Sequence, residues 1–150
     1  MRLKPGVMNT IPISRVAIIL FAIVIGVFGI YHFVDPENLA IQVPSFLSNA
    51  RLWVYLVGAL LILASVSLIL NVQVKLVSYV LAVLMVSFAI FIHFRGYLDL
   101  ASKEMQAVSF MNMLKDLGLA CCVLYIGATA RPKHAVVKET IMHEEMAVSA

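Results

Sequence analysis

Four apolar stretches, each close to the length of a membrane span, alternate with short polar breaks along the chain. The first covers about residues 14–33, SRVAIILFAIVIGVFGIYHF. The others cover about 52–70, 76–94 and 113–129. At 1.5 Å per residue, about 20 residues traverse a hydrocarbon core of ~30 Å, so each stretch predicts a transmembrane helix. The breaks carry their own signals. Asp35-Pro36-Glu37-Asn38 combines two carboxylates, a proline and an asparagine, which stop the first helix. Asn71-Val72-Gln73-Val74-Lys75 is so short that it can only join antiparallel neighbours. Arg95 to Asn112 is the longest polar stretch and predicts an extended connection before the fourth span. Between the first two spans, Ile41, Val43, Phe46 and Leu47 suit a segment lying in the interface, with Pro44-Ser45 placed to open a short helix there. Trp53 and Tyr55 then mark the membrane–water boundary of the second span. The fold class this predicts is all-α, a four-helix transmembrane bundle over residues 14–130, flanked by an N-terminal arm (1–13) and a tail (131–150).

Composition strengthens that picture. The chain is 63% hydrophobic and 13% charged, with a mean hydropathy of +1.01. A soluble domain is about 45–50% apolar and about 25% charged. The surplus apolar surface therefore faces lipid, which makes the bilayer itself the first predicted partner. A net charge of +3 without a stripe of Lys and Arg interleaved with aromatics excludes nucleic acid. Arg2, Lys4 and Arg15 precede the first apolar stretch, as in a signal peptide. That stretch, however, runs from Val16 to about Val34, beyond a signal core of roughly 7–15 residues, and no A-x-A-like site follows, so it reads as a retained span. The basic residues also set orientation. Arg2, Lys4, Arg15, Lys75, Arg131, Lys133 and Lys138 fall on one side, and Arg51, Arg95, Lys103 and Lys115 on the other. Positive charge prefers the cytoplasm, which predicts a multi-pass protein of the cell (inner) membrane with both termini inside, N-in/C-in.

Small residues at helical spacing predict where the helices touch. Gly26, Gly29, Gly58, Gly118 and Gly127 are the main candidates, because small side chains let backbones approach in lipid. The adjacent Cys121 and Cys122 point about 100° apart on a helix, unlike a redox CxxC pair, and read as small packing residues.

Candidate chemistry gathers at the ends of spans. His32 and His93 close spans one and three at similar depth. Two readings stand. Each imidazole is an amphipathic side chain with its tip among headgroups, or the two meet and move protons, bind a quinone carbonyl or hold a metal. A metal would need further ligands, for which Asp35 and Glu37 are the nearest in sequence, and none is predicted. Lys115 and Asp116 form a second candidate, in what the pattern makes the first turn of span four, where the helix dipole would favour Asp116. The span interiors otherwise carry no charge, which argues against an ion-coupled pump. The chain also has no Walker loop, Rossmann fingerprint, nucleophile elbow or HExxH. No catalytic set is complete, and no cofactor is required.

Several of these residues recur together in the DoxX family of small four-helix membrane proteins, which the chain resembles from about Ser14 to Ala130. Arg15 resembles the arginine that opens the family's first span, and Gly29-Ile30-Tyr31-His32-Phe33 its exit. Pro44 followed by Trp53-Val54-Tyr55-Leu56-Val57-Gly58 resembles the approach to span two. Leu114-Lys115-Asp116-Leu117-Gly118-Leu119-Ala120 resembles the opening of span four. Many relatives carry a glutamate shortly after the span-two glycine, whereas this chain reads Gly58-Ala59-Leu60-Leu61-Ile62. The resemblance implies a non-catalytic subunit or accessory of a membrane assembly, alongside membrane redox partner proteins. Its alternatives are a quinone-linked oxidoreductase component of the thiosulfate:quinone type, with His32, His93 and Lys115 converging on one pocket, and a small-molecule transporter. Family kinship alone does not decide among them.

Overall fold

The computed structural model describes residues 13–99 and 102–130. Residues 1–12 of the N-terminal arm and the tail from residue 131 lie outside the described residues. Among the described residues there is helix and no strand. α1 is Ile13–Val34, α2 Pro36–Ala40 and α3 Ala50–Leu70. α4, Val74–Phe88, passes without a break through a π-helical stretch, Ala89–Phe94, into α5, Arg95–Asp99. α6 is Lys103–Thr129. Four helices are long and apolar enough to cross a membrane, the third being the continuous run Val74–Asp99. Their outward faces are apolar and bare, as at Leu63 and Val83, which stand 64% and 67% exposed. Such faces belong against lipid.

Spans two and three are joined by the tightest turn. Asn71 adopts a left-handed conformation (φ 56°), and its N–H donates to the Leu68 carbonyl, while that of Val72 donates to Ser67. This double bond pattern ends a helix by satisfying its last carbonyls. Arg15, one turn into α1, completes the cap. Its Nη1 donates to the Leu68 carbonyl at 2.9 Å and its Nη2 to that of Ile69. The arginine therefore ties the start of α1 to the end of α3.

α1 packs on α3, α4 packs on α6, and α3 and α4 touch more lightly. The α1–α3 seam is close because it is built of small residues. A Cβ on Gly29 would stand 3.0 Å from the Gly58 carbonyl oxygen, and one on Gly58 would stand 2.7 Å from His32 Cβ. Ser65 adds a buried bond, donating from Oγ to the Ala22 carbonyl at 2.7 Å. Gly127 serves the α4–α6 seam, where its Cβ would meet Ser78 at 2.9 Å. A hydrophobic core that includes Ala22, Ile25, Leu68, Leu81 and Val123 draws all four spans together at the Asn71–Gln73 end.

Several sequence expectations are corrected. A Cβ on Gly118 would meet nothing within 4 Å, so no close approach requires a glycine there. Cys121 and Cys122 are both exposed free thiols on the outer face of α6. The short interfacial helix starts at Pro36, with the proline in its first turn, and residues 44–49 turn without forming a helix. The polar stretch after span three is helical on both sides of residues 100–101, so α6 begins ten residues before the expected start of span four. Lys115 and Asp116 therefore lie near the middle of α6, too far from its N-terminus to feel the end of the helix dipole, which acts within the first turn.

Candidate functional site

Away from the Asn71–Gln73 turn the two helix pairs part, and a cavity of about 790 Å³ opens between them. Its walls are mostly apolar, contributed by α1, α3, α4 and α6, and include Leu56, Leu60 and Phe88. Residues of the α2–α3 connection close over it, with Phe46 meeting Phe91 edge-to-face at 6.4 Å. That size lies within the range of small-molecule sites, about 300–1,000 Å³.

His32, His93, Lys115 and Asp116 all line this one space. His32 stands at the α1 seam, half-buried, with Nδ1 2.7 Å from the Phe28 carbonyl. A carbonyl only accepts, so Nδ1 carries the proton, and in the neutral ring Nε2 is left as an acceptor. His93 lies within the π-helical stretch. An extra residue in one turn rotates everything beyond it by about 100°, and here that register carries His93 onto the α6 side. Ser87 Oγ donates to the Val83 carbonyl at 2.8 Å just before the stretch, a back-bond that loosens helical geometry.

His93 Nε2 is 3.2 Å from Asp116 Oδ2, with the two side chains 15% and 6% exposed. The contact is close, but it is not aligned as a hydrogen bond, and Oδ2 is buried without one. Asp116 Oδ1 is 3.7 Å from Lys115 Nζ. That ammonium in turn donates to Asn112 Oδ1 at 3.3 Å and sits 5.6 Å above the Phe28 ring. Lys115 thus reaches from α6 to α1 across one end of the cavity, held partly by a cation–π contact. Among the described residues, no three His, Cys, Asp or Glu side chains cluster as a metal site. Outside the cavity lining, Glu37 pairs with Arg51 at 2.8 Å, tying α2 to the start of α3.

Both histidines and Lys115 are visible in the sequence as candidates. The depth of Asp116 is not, because the periodic pattern starts α6 too late. The roof over the cavity is also hidden, since nothing in its sequence marks which neighbour it covers.

Four apolar spans with a polar-ended cavity between them make this a multi-pass membrane protein. Over residues 21–113 the chain matches, and it belongs to, the family described as a domain of unknown function, DUF8561. His32 and His93 fall inside the matched region, and Lys115 and Asp116 just beyond it. No curated protein and no solved structure matches the chain.

Proposed function

We propose that this protein is a quinone-binding component of a membrane redox assembly, DoxX-like in its architecture, and not an enzyme complete in itself. The observation that carries the reading is convergence. His32, His93, Lys115 and Asp116, from three separate helices, face one largely apolar cavity. An isoprenoid or alkyl tail suits the apolar walls, and an oxygenated ring suits the polar end, where Lys115 donates and the histidines exchange protons. The acid that many DoxX relatives carry after the span-two glycine is absent here, and Asp116 supplies a carboxylate from α6 instead. The Lys and Arg imbalance, seven to four, supports both termini in the cytoplasm of the cell (inner) membrane, with the polar end of the cavity toward the outer face.

The test is purification of the full chain from native membranes in mild detergent, followed by organic extraction and absorbance and mass analysis. A quinone close to one per chain is expected, and it should be strongly depleted in His93→Ala and Lys115→Ala. Preparations holding only phospholipid would overturn the reading.

A further inference from the structure

The polar end of the cavity is poorly complemented by the protein itself. Asp116 is 4% exposed, yet among the described residues nothing donates a hydrogen bond to either of its carboxylate oxygens. Oδ2 has only the misaligned His93 contact, and Oδ1 only the ammonium at 3.7 Å. A carboxylate offers about four acceptor positions. A slight turn of His93 would fill one, and the others would still be open. A buried polar group left this way is costly, and native structures rarely keep one without a partner. The torsion that swings a carboxylate is soft, so either oxygen can present itself to the cavity. His32 adds a second acceptor, since its Nδ1 proton is committed to the Phe28 carbonyl. Against these acceptors stands one cationic donor, Lys115, which already serves Asn112, while the neutral N–H donors of Gln42, Trp53 and Asn112 also line the cavity.

We infer that the cavity selects a ligand head that donates hydrogen bonds, a hydroquinone-type diol, over one that only accepts, the corresponding quinone. The hydroxyl of the reduced ring donates to Asp116, while the same oxygen remains able to accept from Lys115. The oxidised ring has no proton to give and leaves the carboxylate bare. This inference rests on the quinone reading above and adds to it which redox form the site prefers.

The only tryptophan, Trp53, lines the cavity and reports occupancy directly. The full chain in detergent is titrated anaerobically with a decyl-tailed benzoquinone and, separately, with its hydroquinone. Trp53 fluorescence is followed, with equilibrium dialysis as a second readout. A hydrogen bond to a charged acceptor is worth enough that the hydroquinone should bind about tenfold tighter or more. In Asp116→Asn the ratio should fall close to one. Equal affinities, tighter binding of the quinone, or a preference that persists in Asp116→Asn would each overturn the inference and leave the quinone site standing. Saturable binding of neither form would overturn the quinone reading itself and the inference with it. The wild-type ratio decides the question even if the variant does not fold.

Discussion

At the Asn71–Gln73 end the four spans meet, and at the opposite end they part. The meeting end holds the packed core. Leu68, Leu81 and Val123 are essentially inaccessible, and the last carbonyls of α3 are capped by its own turn and by Arg15. The parted end holds a cavity, a π-helical stretch and a buried carboxylate without a hydrogen bond. Within lipid there is little hydrophobic drive to bring helices together, so close packing and satisfied polar groups hold a bundle. One end of this protein has both. The other gives up packing and polar satisfaction at the same place, which is how a binding site differs from a scaffold.

The largest effects should come from testing packing at the two ends. Leu81→Ala empties a buried core position and should lower the stability of the detergent-solubilised protein by about 2–5 kcal/mol. Leu84, three residues on, is only partly buried, packing on the core from the cavity wall, so Leu84→Ala should cost less, about 1–2 kcal/mol. Thermal melts of the two variants make the comparison, and equal losses would mean that the two ends are packed alike. Next comes the seam. Gly58→Val forces a side chain into the space held by His32 and the Gly29 carbonyl and should cost about 1–3 kcal/mol, while Gly118→Ala, open on all sides, should be neutral or slightly stabilising.

Asp116 should reverse the sign. Replacing a buried, poorly paired charge with an apolar residue commonly stabilises, so Asp116→Leu should raise the melting temperature of the ligand-free protein, by an equivalent of about 1–2 kcal/mol. The same change should abolish quinone retention. A variant that loses both stability and ligand would assign Asp116 to holding the fold.

This division between ends also sets what the sequence could reveal. Four spans, the short turn and the contacts of Gly26, Gly29, Gly58 and Gly127 are legible because lipid imposes length and apolarity, and small residues have few other reasons to recur. Gly118 shows the limit of that logic, since a small residue on the lipid face looks the same as one at a seam. The candidate site was legible as a set of residue types. Its geometry was not, for two local reasons. Polar residues between Arg95 and Asn112 concealed helix on both sides of residues 100–101, and the π-helical register that turns His93 toward α6 has no signature in a run as uniform as Ala89-Ile90-Phe91-Ile92.

The smallest effect concerns how each end is tied, and it separates them by pH. At the break between α1 and α2, beside the cavity-lining Tyr31, Asp35 accepts from the Asn38 amide at 2.9 Å and from the Tyr31 hydroxyl at 3.3 Å. Chiefly the Asn38 side chain holds the Asp35 carboxyl below its usual value of 3.8. A carboxyl with a lowered folded value adds stability above its ordinary range and loses that contribution as pH falls through the folded value. Asn38→Ala should therefore lower the melting temperature slightly at pH 7, and the difference from wild type should vanish on acidification below the carboxylate range. Arg15→Ala, at the packed end, removes hydrogen bonds from a permanently charged group to backbone carbonyls, so its larger deficit should persist over the same pH interval. Parallel melts from pH 7 to about pH 3 distinguish the two. An Asn38→Ala deficit that does not change with pH would show that the amide supports the α1–α2 break by packing and not through the charge of Asp35.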